Sequence, residues 1–401
     1  MIHGINRCVS FCIVLIVLAS CAKENKISSD QADQFIKFFG GSDVDKATAV
    51  VECSDGGFAL TGTMSVGDNK NKAFFIRTDK YGNELIWSPV LFGDTLKSIG
   101  NSVITLADGF LVVGSTNVLT NNILNIDVQI SKIGNDGSIT WQKKFGGSLN
   151  DEAYCAIETN AGYLIGGYTK SKGKGGKDAW ALMLDNKGNT IWEQTQGGSK
   201  DDCYKSIIET DNSYILIGST ESFYIGSFNR SVFFVKIDKS TTTGDPFDFA
   251  FYGGLSIDSK IDVIKDVANN IIVMRNIQNS DVSNIVLLKV RDDFHQVVWE
   301  KNISKTNDIG STANEIGNSL IIQNNQIVVV GNSILNSNSI TNIKFLLKTI
   351  SLEGDIISSI LESGISNQLV NDGIVSSDGH IVIVGSNSID SYSKISLQKI
   401  K

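Results

Sequence analysis

Proline is nearly absent from this 401-residue chain, which has two against 38 glycines. That excludes collagen-like and proline-rich linker character, where both residues are abundant together. Histidine is almost as scarce. Beyond the first 20 residues only His295 and His380 occur, each in a turn, too few for a histidine-rich metal centre. Basic residues are not concentrated anywhere: 35 Lys and Arg are scattered among 43 Asp and Glu, a formal charge of −8. The electrostatic footprint of a nucleic-acid binder is therefore missing, and the mildly acidic balance serves solubility. No apolar stripe of helical period runs longer than two turns, which leaves strands to build the core.

Disulfide frameworks are excluded next. Of six cysteines, Cys8, Cys12 and Cys21 belong to the N-terminal apolar run, leaving Cys53, Cys155 and Cys203. Three is odd, no C-x-x-C or zinc spacing is present, and each falls at a different place in the repeat. They read as small buried residues, with one disulfide as the alternative.

What the chain does have begins at its N-terminus. One cation, Arg7, precedes the apolar run Cys8–Ala19, which is short for a membrane span and suits a signal-peptide core. Leu18-Ala19-Ser20-Cys21 resembles the box of bacterial lipoproteins. The resemblance implies cleavage before Cys21 and acylation of that cysteine. Ala22 in the next position implies sorting to the outer membrane, and Lys23-Glu24 is similar to the surface-export signals of Bacteroidota lipoproteins. Residues 1–20 are thus expected to be a signal peptide. Residues 21–34 form an acylated, polar tether, and 35–401 form the folded part. The expected location is the outer membrane, lipid-anchored and open to surface exposure.

The folded part repeats itself. A Gly-rich turn opens each unit: Phe39-Gly40-Gly41-Ser42, Phe92-Gly93-Asp94, Phe145-Gly146-Gly147-Ser148, Gln196-Gly197-Gly198-Ser199 and Tyr252-Gly253-Gly254, decaying to Ile309-Gly310-Ser311 and Ser363-Gly364. A glycine closes a continuous apolar run at Gly62, Gly114, Gly166, Gly218, Gly331 and Gly385, and Arg275 breaks the pattern in the fifth unit. A cation sits within a third strand at Arg77, Lys132, Lys236, Lys289, Lys348 and Lys399, with Met183 replacing it in the third unit. The 363 residues from Phe39 to Lys401 divide into seven units of about 52.

Each unit reads as four strands: one mixed, one continuously apolar, one carrying the cation and one often carrying Trp87, Trp141, Trp192 or Trp299. Turns such as Asp79-Lys-Tyr-Gly82 and Asp185-Asn-Lys-Gly188 suit hairpins whose glycine takes a positive φ. Seven such units predict an all-β, seven-bladed β-propeller. The last unit lacks its fourth strand, and Phe35-Ile-Lys-Phe-Phe39-Gly-Gly aligns with Trp141-Gln-Lys-Lys-Phe145-Gly-Gly. An N-terminal strand is therefore expected to complete the last blade and close the ring. An open solenoid is the other architecture.

The unit W-x₄-G-G-S-x-x-D, apolar-G, D-x-x-G-x-x-x-W resembles repeats of secreted and lipid-anchored Bacteroidota β-propellers, best over units three and four. Trp192 after Asp185-x-x-Gly188 resembles the tryptophan-docking repeat of quinoprotein-like propellers. Leu164-Ile-Gly-Gly167-Tyr is similar to a kelch repeat in one unit. These likenesses imply the fold and leave function to the site.

Candidate sites follow from departures from the repeat. Asp45, Asp151, Asp202 and Asp258 recur after the Gly-Gly turn. They could form a carboxylate ring, but each is better explained as fixing its own turn. Lys170–Lys177 is the densest basic stretch; without G-x-x-x-x-G-K-[ST] it is a solvated, mobile loop rather than a phosphate cradle. Its Lys172, Lys174 and Lys177, with Tyr224 and Phe228 of the fourth unit's insertion, are the binding candidates. The tryptophans, fixed by the repeat, read as packing. Enzyme classes fare poorly. A sialidase needs an arginine trio, and the mature chain has only Arg77, Arg230, Arg275 and Arg291. No quinoprotein cofactor residues are evident, and no catalytic, metal or cofactor residue is assigned. The expected function is a monomeric binding or scaffold module for a glycan or protein partner. A hydrolase or lyase using acidic residues at the central mouth is the runner-up, and a part of an envelope complex the third reading.

Overall fold

The structure, a computed structural model, describes residues 33–401 apart from 42, 95, 121, 224–229, 255–259, 280–281, 305–313, 338–339, 363–366 and 390–391. Cys21, Tyr224, Phe228 and Asp258 lie outside the described residues, as do the sixth and seventh Gly turns. Twenty-eight strands, β1–β28, make seven four-stranded antiparallel sheets within Gln34–Lys401. Among the described residues there is no helix. The seven sheets are the blades of a seven-bladed β-propeller.

Ring closure follows the expected permutation. Strand β1 (Phe35–Phe39) pairs antiparallel with β28 (Tyr392–Ile400), from Phe35 opposite Lys399 to Phe39 opposite Ile395. The last blade thus runs β1, β28, β27 (Ile381–Ile389), β26 (Gln368–Val375). The second strands are buried on both faces, as their unbroken apolar runs require; every residue of β11 (Gly162–Thr169) and β15 (Ser213–Thr220) is buried. The core is accordingly divided into seven hydrophobic clusters, each drawn from two neighbouring blades, one per seam. At about 1.5–3 kcal/mol per fully buried large apolar side chain, the seams dominate the stability.

A second device ties the seams together. The hairpins between third and fourth strands place Gly82, Gly137, Gly188, Gly244 and Gly354 at φ between +73° and +86°. In five of the seams, an aromatic ring on or just before the outer strand of one blade lies against the place where a Cβ on the next blade's glycine would fall. These are Phe35 on Gly82, Trp87 on Gly137, Trp141 on Gly188, Trp192 on Gly244 and Trp299 on Gly354. Both the positive φ and the close ring demand glycine there. Two residues further along, Lys37, Lys143, Gln194 and Lys301 bond Asn83, Asn189, Asp245 and Asp355 of the same hairpins. Between the fourth and fifth blades the dock is rewritten: Asp248 stands opposite the marker Lys236 and binds His295 at 2.9 Å. Phe294 takes the glycine's place at φ +53°. Between the sixth and seventh blades no such dock forms, because β28 and β1 are not joined by a hairpin.

Two register details correct the sequence reading. In the third blade Gly167, not Gly166, is the equivalent of Gly62 and Gly114. It pairs with Ala153, and a Cβ there would strike the Glu152 carbonyl. In the sixth blade the outer bulge follows Thr349, whereas it follows the marker cation at Lys132, Lys236 and Lys289. Lys348 is therefore one residue out of register and faces the other side of its sheet. There it is buried against Glu315 at 2.5 Å. Four of the five in-register cations instead reach an acid in their own inner hairpin: Arg77 with Asp55, Lys132 with Asp108 at 2.8 Å, Lys289 with Asp266 at 2.7 Å, Lys399 with Asp378; Lys236 lies over the Phe247 and Phe294 rings.

Candidate functional site at the propeller axis

The first strand of each blade faces the axis. In β2 (Lys46–Glu52), β6 (Ser98–Leu106), β10 (Asp151–Thr159), β14 (Asp202–Glu209), β22 (Asn314–Gln323) and β26 the register slips at one residue. The extra residue of such a bulge is unpaired and re-aims its side chain. The bulge residues are Thr48, Asn101, Tyr154, Lys205, Asn318 and Asn371. In the fifth blade Ile261 holds the equivalent place, directly before β18 (Asp262–Lys265). All seven line one cavity of about 350 Å³, with Lys46 and Lys260.

Four bulge residues form a circumferential belt. Thr48 Oγ1 donates to the Gly100 carbonyl, Asn101 Nδ2 to Ala153 O (2.8 Å), Asn318 Nδ2 to Val370 O (2.9 Å) and Asn371 Nδ2 to Ala47 O (2.7 Å). Each acceptor directly precedes the next blade's bulge. The belt stops at Tyr154, Lys205 and Ile261. Tyr154 donates instead to Glu152 Oε2 at 3.1 Å, and the Lys205 ammonium lies 3.5 Å from the Tyr154 ring centroid. That contact is a cation–π pair.

The electrostatics of this mouth oppose those of the chain as a whole. Lys46, Lys205 and Lys260 converge on it, and no carboxylate is among its described lining residues. Lys260 Nζ donates to Asn371 O at 2.5 Å and lies 3.8 Å from Asp372 Oδ1. Asp372 is partly engaged already, accepting from Val50 N at 3.1 Å. Among the described residues, none forms an ion pair with Lys46. Burial first, then the like charge of Lys260, pull its pKa below the usual lysine range. Burial, with nearby Cys203 and Glu152, pushes the Tyr154 phenol far up, so it stays protonated.

The residues singled out by the repeat and by the basic stretch fall elsewhere or at the margin. Asp45, Asp151 and Asp202 are consumed by their turns. Asp45 accepts from Gly41 N and Ser65 N, Asp151 from Gly147 N and Ser171 Oγ, Asp202 from Gly198 N and Ser222 Oγ. The Lys170–Lys177 loop is pinned rather than loose, since Asp178 Oδ2 accepts from Lys174 N and Gly175 N. Lys172 is paired with Glu193 at 2.6 Å. Lys177 lies over the Tyr168 ring, in a small cavity that shares Tyr154 and Lys205 with the axial mouth. Lys172 and Lys174 line neither cavity. The cysteines are unpaired: Cys53 and Cys203 are buried and Cys155 is partly so. Burial pushes the Cys53 thiol up to about 12 and raises the other two. Among the described residues, no three His, Cys, Asp or Glu side chains group as metal ligands. Sequence reasoning misses the seven axial residues. Their only signal is a residue recurring at the repeat length inside a mixed strand, and a bulge is invisible to a period-2 pattern.

The chain is thus a β-propeller with a polar, lysine-bearing axial mouth. No family model matches it, and no curated protein does. Among solved structures, an ulvan lyase bound to -[GlcA(1-4)Rha3S]- is similar over 92% of this chain and 96% of its own, with a TM-score of 0.57 and 9% identity. The polysaccharide lyase Uly1 is similar over 94% of both chains, with a TM-score of 0.55 and 8% identity. A Dyadobacter fermentans protein of unknown function covers 91% of this chain and 99% of its own, at TM-score 0.49 and 8% identity. At these identities the likeness concerns the fold.

Proposed function

We propose that this chain is a lipid-anchored, outer-membrane β-propeller that binds a glycan in its axial mouth. The observation that carries the reading is the convergence of one residue from every blade, six of them on first strands and Ile261 directly before one, on a single polar cavity. Asparagine amides, a threonine hydroxyl, a tyrosine ring and lysines are the groups that bond and stack on sugars, and all but Lys260 stand on strands. Two fold neighbours being named polysaccharide lyases, one with a saccharide bound, supports the same ligand class. The anchor rests on the Leu18–Cys21 box.

Binding is favoured over turnover. A two-carboxylate glycosidase needs acids facing each other across roughly 5–10 Å, and the described lining holds none. Tyr154, the phenol in the lining, is kept protonated and so is a poor base. The unit Gln34–Lys401, which carries every strand, is the sample for a glycan array. A defined set of bound glycans is expected, with none cleaved on incubation. An empty array would sink the glycan reading, and new reducing ends or unsaturated uronates would replace binding with catalysis.

A further inference from the structure

The mouth's lysines have less compensation than the most buried cations elsewhere in this chain receive. Two of them, Lys46 on the first blade and Lys260 before the fifth blade's first strand, face one space. Among the described residues, the carboxylate within ion-pair reach of Lys260 is Asp372, at 3.8 Å and already holding a backbone N–H of the first blade. Lys46 has no counter-charge among them, and the charge of Lys260 works against its own. Lys205 adds a third ammonium, set against the Tyr154 ring rather than an acid. The buried cations outside the mouth are treated differently. Arg77, Lys132, Lys289, Lys348 and Lys399 each have a carboxylate partner. Where a cation is absent from the marker position, at Met183, the turn of the inner hairpin, Asn160-Ala161, has no acid either. Positive charge thus gathers at the axis only partly matched, by Asp372 and by the buried Asp262, both of which face Lys260 rather than Lys46 or Lys205.

Like charges held together in a half-buried site raise the energy of the unliganded protein, and an anion placed between them removes that cost. The neighbouring amides of Asn101, Asn318 and Asn371, each giving one N–H to a carbonyl of the next blade, carry no charge to offset it. We infer that the axial mouth takes an acidic saccharide, seating a carboxylate or sulfate group between Lys46 and Lys260 with Lys205 on the facing wall. The inference rests on the glycan reading of the mouth and adds the charge of the ligand.

The test compares three oligosaccharides on the Gln34–Lys401 unit by calorimetry: oligogalacturonate, which carries only carboxylates; a carrageenan oligomer, which carries only sulfates; and neutral xylohexaose. At least one acidic oligomer is expected to bind at least tenfold more tightly than the neutral one, and which it is identifies the anion. The K46Q/K260Q double variant is expected to lose that preference, and K46Q alone, which removes a cation without an ion pair among the described residues, is expected to melt no lower than the parent. Equal binding of neutral and acidic oligomers, or unchanged acidic binding by the double variant, overturns the inference and leaves glycan binding standing. Binding of none of them, with an empty array, overturns both. Should the double variant fold poorly, the parent decides. Inorganic sulfate is expected to displace the acidic ligand more strongly than chloride at equal ionic strength, and equal displacement overturns the proposal.

Discussion

Asp127 is poorly served by its surroundings. Its Oδ1 is buried without a hydrogen-bond partner. Burial, then the negative charge of Asp151, push its pKa up to about 6, with Lys144 opposing. A carboxyl raised in the fold binds its proton more tightly there than in the unfolded chain, so ionising it costs stability. The cost is absent below about pH 4, grows as pH rises through about 6, and persists at neutral pH. Asp127→Asn is expected to stabilise by about 1–2 kcal/mol at neutral pH, discounted because the group is only half-buried, and to give nothing near pH 4. Urea melts at the two pH values check this. Met183 makes the opposite case. Lys132 in the preceding blade is matched by Asp108, whereas the hairpin beside Met183 offers Ala161 in that place. Met183→Lys alone would bury an unpaired ammonium, at roughly 2–4 kcal/mol. Adding Ala161→Asp is expected to return most of it, and a double-mutant cycle measures the coupling.

At the scale of elements, the aromatic docks explain why the repeat keeps Trp and Gly at fixed spacing. Each belongs to a different blade, so their pairing is a long-range fact written as a local motif. Phe35 is the member that holds the ring shut, since it covers Gly82 and lies 6.2 Å, centroid to centroid, from Phe58. Phe35→Ala is expected to lower stability by about 2–3 kcal/mol, somewhat under a fully buried Phe truncation because the ring is only partly covered. A thermal melt indistinguishable from the parent would count against closure by β1. The blade count, strand roles and closure are legible in the sequence because the units recur seven times. Less visible is anything that depends on register. The repeat pattern places Lys348 and Gly166 one residue out, and a one-residue slip exchanges the faces of a strand. The axial residues escape for the same reason. Six of the seven sit at bulges, where the alternation that identifies a strand is interrupted, and their chemistry differs from blade to blade. The Trp and Asp candidates stand out because the fold repeats them, which is also why they are structural.

For the molecule as a whole, three lysines meet at the axis of a chain whose net charge is −8, so the proposed attraction for an anion would be confined to one place. The proposed anchor would hold that axis near the membrane through a polar tether of about a dozen residues. Cys21→Ala is expected to move the protein from the membrane fraction to the soluble one without changing its melting temperature. Retention in the membrane fraction would rule the lipid anchor out. Closure of the ring also has a consequence in time. The strand Phe35–Phe39 precedes every other strand of the described residues, and its partner Tyr392–Ile400 follows them all. A nascent chain, or one truncated before Tyr392, therefore cannot form the closing sheet. Until that last strand arrives, the strand at the leading end has no partner, so the ring can close only once the whole chain is present.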